Sequence, residues 1–154
     1  MTGAVVRLAE DADLPAIARL RRELTAEQEG DRGDRDFEGR FAAWWARESG
    51  RRIIWLAEVG HDPVGTMNLA VFERMPRPGR VPSRWGYIGN AFVLAPYRNQ
   101  GIGRQLLAAA LGYAREQHFA RLVLSPSERS VPFYRRAGFG PADVLMVWDP
   151  ADRA

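Results

Sequence analysis

Val5, Val6 and Leu8 make a short apolar run that reads as a strand, and Asp11 or Asp13 behind it offers a helix cap. Leu14, Ile17, Ala18, Arg21 and Leu24 then fall at helical spacing. The polar, glycine-containing stretch Glu27–Asp36 reads as a loop. A second helix is predicted over Phe37–Glu48, turning Phe41, Trp44 and Trp45 inward before Gly50 stops it. After it the period changes. Ile53–Val59 and Val64–Phe72 read as an antiparallel pair of strands joined by a turn at His61–Pro63. Pro76, Pro78, Gly79 and Pro82 make Arg74–Arg84 a loop. Tyr87–Leu94 is predicted as a strand, and Arg104–Gln117 as a helix with Leu107, Ala110, Leu111 and Ala114 on one face. Arg121–Leu124 is a short strand, Ser130–Ala137 a helix ended by Gly138, and Val144–Trp148 a final strand. The order β-α-α-β-β-β-α-β-α-β describes an α/β chain with a mixed sheet and helices packed on it.

The chain has 154 residues, which predicts a single domain over residues 1–154. No apolar run approaches the ~20 residues of a bilayer crossing. The stretch Met1–Asp13 alternates rather than forming the apolar segment of a signal peptide, so the expectation is a cytoplasmic protein without membrane contact. Cysteine is absent, which excludes disulfides, thiolate nucleophiles and cysteine-held metals. His61 and His118 lie far apart with no carboxylate spacing of a metal site, and no metal is expected. No G-x-S-x-G occurs, so the usual cue of a serine hydrolase is missing. All 22 basic residues are arginine, and the net charge of +3 is spread along the chain. Scattered charge argues against a nucleic-acid partner and is compatible with one site for a small polyanion.

Such a site is suggested by Val93-Leu-Ala-Pro-Tyr-Arg98-Asn99-Gln100-Gly101-Ile102-Gly103-Arg104, which joins a strand to an amphipathic helix. Two glycines let the backbone tighten so that successive N–H groups point inward, and the helix adds its positive dipole end. Arg98 and Arg104 flank the turn with fixed charge suited to phosphate oxygens. By itself the Gly-x-Gly is equally a plain connector. The dinucleotide fingerprint would need a third glycine where Leu106 stands, and a P-loop would need a lysine, of which there is none.

Arg98-Asn-Gln-Gly101-Ile-Gly103 resembles the R/Q-x-x-G-x-G/A signature of the GCN5-related N-acetyltransferase (GNAT) superfamily. Ser125-Pro-Ser127 through Phe133-Tyr134-Arg-Arg-Ala-Gly138-Phe139 is similar to that family's second block, with its F/L-Y-x-x-x-G-F ending. The resemblance implies the family's fold, with splayed central strands flanked by helices, and acetyl-CoA as acyl donor to an amine acceptor, in a monomer or homodimer. It implies that the strand holding Ala91, Phe92 and Val93 carries a bulge, diverges from the strand after it, and meets the pantetheine arm through its backbone. The loop from Arg98 to Arg104 would hold the pyrophosphate, and Tyr134 would sit beside the thioester sulfur, where a phenol can serve the departing thiolate.

Two positions depart from the family pattern. Ser127 stands where an asparagine is usual, which shortens or removes a contact to the pantetheine. Tyr87 stands where several members carry a glutamate base, which leaves Glu73, Glu58 and the acidic loop around Glu29 as candidates. Backbone N–H near Val93 could meet the tetrahedral oxyanion. Acceptor choice is expected to lie with the first two helices and the Arg74–Arg84 loop, where Trp44, Trp45, Phe72, Met75 and Trp85 are available. The alternative is an acyl-CoA-binding regulatory module of the same fold without catalysis.

Overall fold

Nine regular elements account for most of residues 3–150, the part of the chain that the computed structural model describes. In chain order they are β1 (Ala4–Leu8), α1 (Leu14–Glu29), α2 (Phe37–Glu48), β2 (Arg52–Val59), β3 (Asp62–Glu73), β4 (Arg84–Val93), α3 (Ile102–Glu116), β5 (Leu122–Val123) and α4 (Val131–Arg136). The expected single domain extends beyond these at residues 1–2 and 151–154, which lie outside the described residues. The strands form one sheet in the order β1-β2-β3-β4-β5, antiparallel except for the parallel pair β4–β5. This is the mixed sheet that the hydrophobic pattern predicted.

Alternation along β2 sorts the core into two layers, because successive side chains leave opposite faces of a strand. Ile54 and Leu56 join Ile17, Leu20 and Leu24 of α1 on one face, while Trp55 and Ala57 join Leu106, Leu107 and Ala110 of α3 on the other. The middle of β3, Val64 to Ala70, is buried throughout, as a central strand covered on both faces must be. No helix among the described residues is long and apolar enough to cross a membrane.

The elements differ from the sequence reading at several boundaries; β4, for one, starts at Arg84 and not Tyr87, and α3 at Ile102 and not Arg104. Helix α1 runs to Glu29, three residues into the expected loop, and is closed by Gly30 at φ 84°. Helix α2 does not stop at a left-handed Gly50; it tightens into a 3₁₀ turn over Ser49–Arg51, and none of its residues is fully buried. The hairpin turns on Gly60 and His61, Gly60 at φ 64°, so that Asp62 and Pro63 already belong to β3. Strand β5 is trimmed to Leu122–Val123. The predicted strand Val144–Trp148 is absent: the segment has no ladder, and Met146 and Trp148 are 99% and 84% exposed. An apolar run makes a strand only against a partner edge, and two-residue β5 provides too short a one.

Candidate active site

Strand β4 makes two different edges. Toward β3 it is paired from Arg84 to Val93, with a slip between Thr66↔Phe92 and Asn68↔Gly89. One residue of β3, Met67, thus faces two of β4, Asn90 and Ala91, and Asn90 takes φ 54°: a β-bulge. Toward β5 only Gly86↔Leu122 and Tyr87↔Val123 are paired. From Ile88 onward that edge has no strand beside it, so the two parallel strands diverge past Tyr87, just ahead of the bulge. The divergence is possible because β5 ends after two residues and the chain leaves for α4.

A cleft of about 740 Å³ opens at the divergence. Its walls are Ala91, Phe92 and Val93 of β4, the start of α3, and Arg129, Phe133, Tyr134 and Arg136 around α4. Gly101 is the N-cap of α3 at φ 85°, and Asn99 is also left-handed at φ 61°, so the chain turns sharply into the helix. The first bond of the helix is Gln105 N–H to Gly101 O at 3.0 Å. The N–H groups of Ile102, Gly103 and Arg104 therefore have no carbonyl within the helix, and a glycine cap supplies no side chain to them. Gly103 plays a different part: it faces Phe133, where a Cβ would make ordinary contact at 3.7 Å and only a longer side chain would enter the gap between α3 and α4.

The arginines divide by partner. Arg98 lines the cleft but is held by Glu27 (2.6 and 2.5 Å) and by the Val93 carbonyl, to which its Nε donates at 2.8 Å. The Arg98 hydrogen bonds keep the Glu27 carboxyl below its ordinary range. This bridge pins α1 to the loop after β4 and leaves Arg98 with matched charge. Arg104, Arg129 and Arg136 line the same cleft with no ion pair among the described residues. Arg129 and Arg136 escaped the sequence reading because only the fold-back of α4 brings them to the helix start. Gln100 sits in the loop with its Nε2 donating to Pro96 O at 3.2 Å, outside the cleft wall. Ser127 is likewise not part of the wall: its hydroxyl donates to Ser130 Oγ at 3.0 Å and its carbonyl accepts from the same group at 2.9 Å.

Tyr134 is placed by the end of its own helix. Gly138 is left-handed at φ 104°, and Phe139 N–H reaches back to Tyr134 O at 3.1 Å while Gly138 N–H reaches Arg135 O at 3.0 Å. That double closure brings Phe139 onto Tyr134, with Phe133 on another side; both contacts are edge-on, at 5.7 and 5.0 Å. The ring lines the cleft, and burial raises the phenol pKa above its ordinary value.

A second pocket, about 350 Å³, lies on the opposite face of the sheet between α1, α2 and the bulge. Phe92 lines both cavities, which places the two on either side of β4. Trp44 lines this pocket, whereas Trp45 is turned to Asp11 and Phe72 stacks on Trp85 at 4.6 Å; neither Phe72, Trp85 nor Met75 lines either cavity. Among the described residues no carboxylate or histidine lines either cavity. Glu58 is bound by Arg7 at 2.5 Å, Glu29 faces Arg32, and Glu73 is exposed at the end of β3.

The family model of the acetyltransferase (GNAT) family matches residues 14–139. A curated relative, the glucosamine 6-phosphate N-acetyltransferase of Trypanosoma brucei brucei, is 32% identical over 93 residues, 58% of this chain and 61% of that protein. The match thus spans less than two thirds of the relative. A solved GCN5-related N-acetyltransferase from Ralstonia eutropha JMP134 is 27% identical with a TM-score of 0.74, covering 97% of this chain and 99% of that one. A predicted acetyltransferase from Clostridium acetobutylicum, solved with acetyl-CoA, has the same fold: TM-score 0.75 at 21% identity over 95% and 96% of the two chains.

Proposed function

The chain belongs to the acetyltransferase (GNAT) family, and on that premise we propose that it transfers an acetyl or other short acyl group from acyl-CoA to a primary amine by direct attack in a ternary complex. One observation carries the reading: the unpaired edge of β4 meets three free N–H groups at the start of α3 in a single cleft ringed by Arg104, Arg129 and Arg136. A long ligand with an amide-bearing arm and a polyanionic end fits that combination. The strand edge offers backbone hydrogen bonds to the arm, and the helix start with its arginines offers them to phosphates.

In this reading the amine enters from the other face of β4, past Phe92, having lost its proton to solvent. Its lone pair forms the C–N bond at the thioester carbon, and the C–S bond breaks with its pair going to sulfur. Tyr134, kept protonated by burial, hydrogen-bonds to the sulfur as that charge grows. The proton leaving nitrogen and the one gained by the thiol exchange with water. Direct transfer is favoured because the chain has no cysteine to carry the acyl group.

The test is calorimetric titration with acetyl-CoA, together with release of CoA thiol in the presence of a panel of amines. Saturable binding and amine-dependent release are expected. Binding without release from any amine would favour the regulatory, non-catalytic reading; absence of both would remove the proposal.

A further inference from the structure

We infer that the pocket between α1, α2 and the bulge of β4 selects primary amines whose apolar frame ends in an anion, a carboxylate or a phosphate ester. This rests on the acyltransferase reading for the identity of the amine as acceptor, but the recognition itself follows from the pocket's own residues.

Its lining joins an aromatic and aliphatic floor, including Phe41, Trp44 and Phe92, to three arginines, Arg21, Arg40 and Arg52. No Asp or Glu lines it among the described residues. A polycationic acceptor would bring further ammonium groups into a site with no carboxylate in its wall and with the guanidinium of Arg21, which has no carboxylate partner among the described residues, to repel them. An amine with a single distant anion meets the opposite situation.

The three arginines are not equivalent. Arg40 is paired with Asp34, and Arg52 with Glu48 at 3.1 Å while its guanidinium lies 5.1 Å over the Trp44 ring. Arg21 donates only to the neutral Asn90 Oδ1, at 3.0 Å, and has no carboxylate partner among the described residues. Its charge is therefore the one left for a ligand, and the neutral partner it would release is a weak competitor.

A second and independent feature marks the amine end. Asn68 is 6% exposed, lines the pocket, and its Oδ1 has no hydrogen-bond donor. Buried acceptors without donors are rare because the lost hydration is not recovered. Asn68 stands opposite Gly89 on β4, next to the bulge, in the region where Phe92 separates this pocket from the cleft of Tyr134. A ligand N–H donated to Asn68 Oδ1 would complete that acceptor and set the amine beside β4, leaving the remainder of the ligand along the aromatic floor toward the arginines. Thr66, also on this face of β3, is already committed: its hydroxyl donates to Trp55 O at 3.1 Å.

Direct binding tests this without turnover. The full chain, in buffer containing CoA, would be titrated calorimetrically with 4-(aminomethyl)benzoate, its methyl ester, benzylamine and 4-(aminomethyl)phenyl phosphate. Both anionic amines should bind about 10- to 100-fold tighter than the ester or benzylamine, the range of one charge-assisted hydrogen bond. Whichever anion binds tighter identifies the group the site prefers. Arg21→Gln, which retains a donor for Asn90, should reduce the anion preference to within about threefold, and Arg21→Lys should restore part of it. Arg47→Gln, on the exposed side of α2, should leave the preference intact and controls for net charge. Asn68→Leu should weaken acids and benzylamine alike. Equal affinity of acid and ester, no binding by either, or an anion preference that survives Arg21→Gln would overturn the inference. Amine-dependent CoA release with no anion preference would leave the catalytic reading standing; anion-selective binding without CoA release from any amine would do the reverse.

Discussion

Burial raises the pKa of Tyr134, and edge-on contacts with Phe133 and Phe139 fix its ring. The phenol thus keeps its proton to higher pH than an exposed tyrosine would. A thiolate, with a reference pKa of about 8.5, is a weaker base than the phenolate, so in the proposed reaction the hydroxyl would serve the leaving group as a hydrogen-bond donor. Tyr134→Phe preserves the ring packing and removes that donor. It should lower kcat by about 10²–10³-fold, the usual loss for one donor to a developing anion, with acetyl-CoA affinity by calorimetry little changed. Wild-type kcat with chemistry rate-limiting would make Tyr134 a packing residue only. Arg98 illustrates the limit of reading a residue by type. Its place in the signature suggested phosphate binding, yet its guanidinium spans Glu27 and the Val93 carbonyl. The charge that remains free at the cleft belongs to Arg104, Arg129 and Arg136.

At the scale of elements, the start of α3 shows two glycines doing separate work. Gly101 is needed for its backbone: at φ 85° with open space around it, Gly101→Ala costs conformational strain of about 1 kcal/mol and should lower Tm by about 2–4 °C. At Gly103 a Cβ would make only ordinary contact with Phe133, at 3.7 Å, so the constraint there falls on larger side chains. Valine there would project toward Phe133, narrowing the gap between α3 and α4, and should weaken acetyl-CoA binding about tenfold or more with a smaller change in Tm than that in affinity implies. Unchanged affinity in a folded Gly103→Val protein would detach this loop from CoA. Helices α1 and α3, the β2–β3 pair and the stop at Gly138 were legible in the sequence because their causes are local: apolar spacing, a glycine, a tight turn. Other features have causes that local pattern does not hold. The end of α3 turns on a left-handed His118 at φ 55°, where glycine is the usual signal. Gly86 is required by the approach of Leu69, whose Cδ1 would lie 2.5 Å from a Cβ, a contact made across strands. The run Val144–Trp148 has strand composition and no partner edge. The divergence of β4 from β5 was expected through the family signature; it follows the end of the two-residue β5, with the bulge at Asn90 just beyond it on β4.

At the scale of the molecule, two cavities lie on opposite faces of β4, so their relation depends on how firmly the helices are tied to the sheet. Beside the apolar packing of Ile17, Leu20 and Leu24, an ionic tie holds the start of α1. Arg7 of β1 donates to Glu58 of β2 at 2.5 Å and to Asp13, just ahead of α1, at 2.8 Å. The Arg7 hydrogen bonds, followed by the Glu10 backbone N–H, hold the Asp13 carboxyl at about 2, and Arg51 and Arg52 hold Glu48 at about 2. Both groups are depressed in the folded chain relative to the ordinary carboxylate value near 4, so the folded state binds fewer protons than the unfolded one between those values. Their contribution to stability is complete above the unfolded pKa and is lost as pH falls from about 4 toward 2. The melting temperature, followed by circular dichroism, should therefore hold nearly level from pH 7 to about pH 5 and fall steeply below pH 4. Asp13→Asn should melt a few degrees lower at pH 7, where the wild-type carboxylate is paired, since ~1 kcal/mol shifts Tm by about 2–4 °C in a chain of this size. The two proteins should draw together as pH falls toward 2, where Asp13 of the folded wild type is about half protonated and most of the contribution is lost. Parallel curves that never meet would mean that the variant lost packing or the backbone bond to Glu10 and not the ionic tie. Convergence would assign the difference in stability between the two proteins to the charge of Asp13 and its pairing with Arg7.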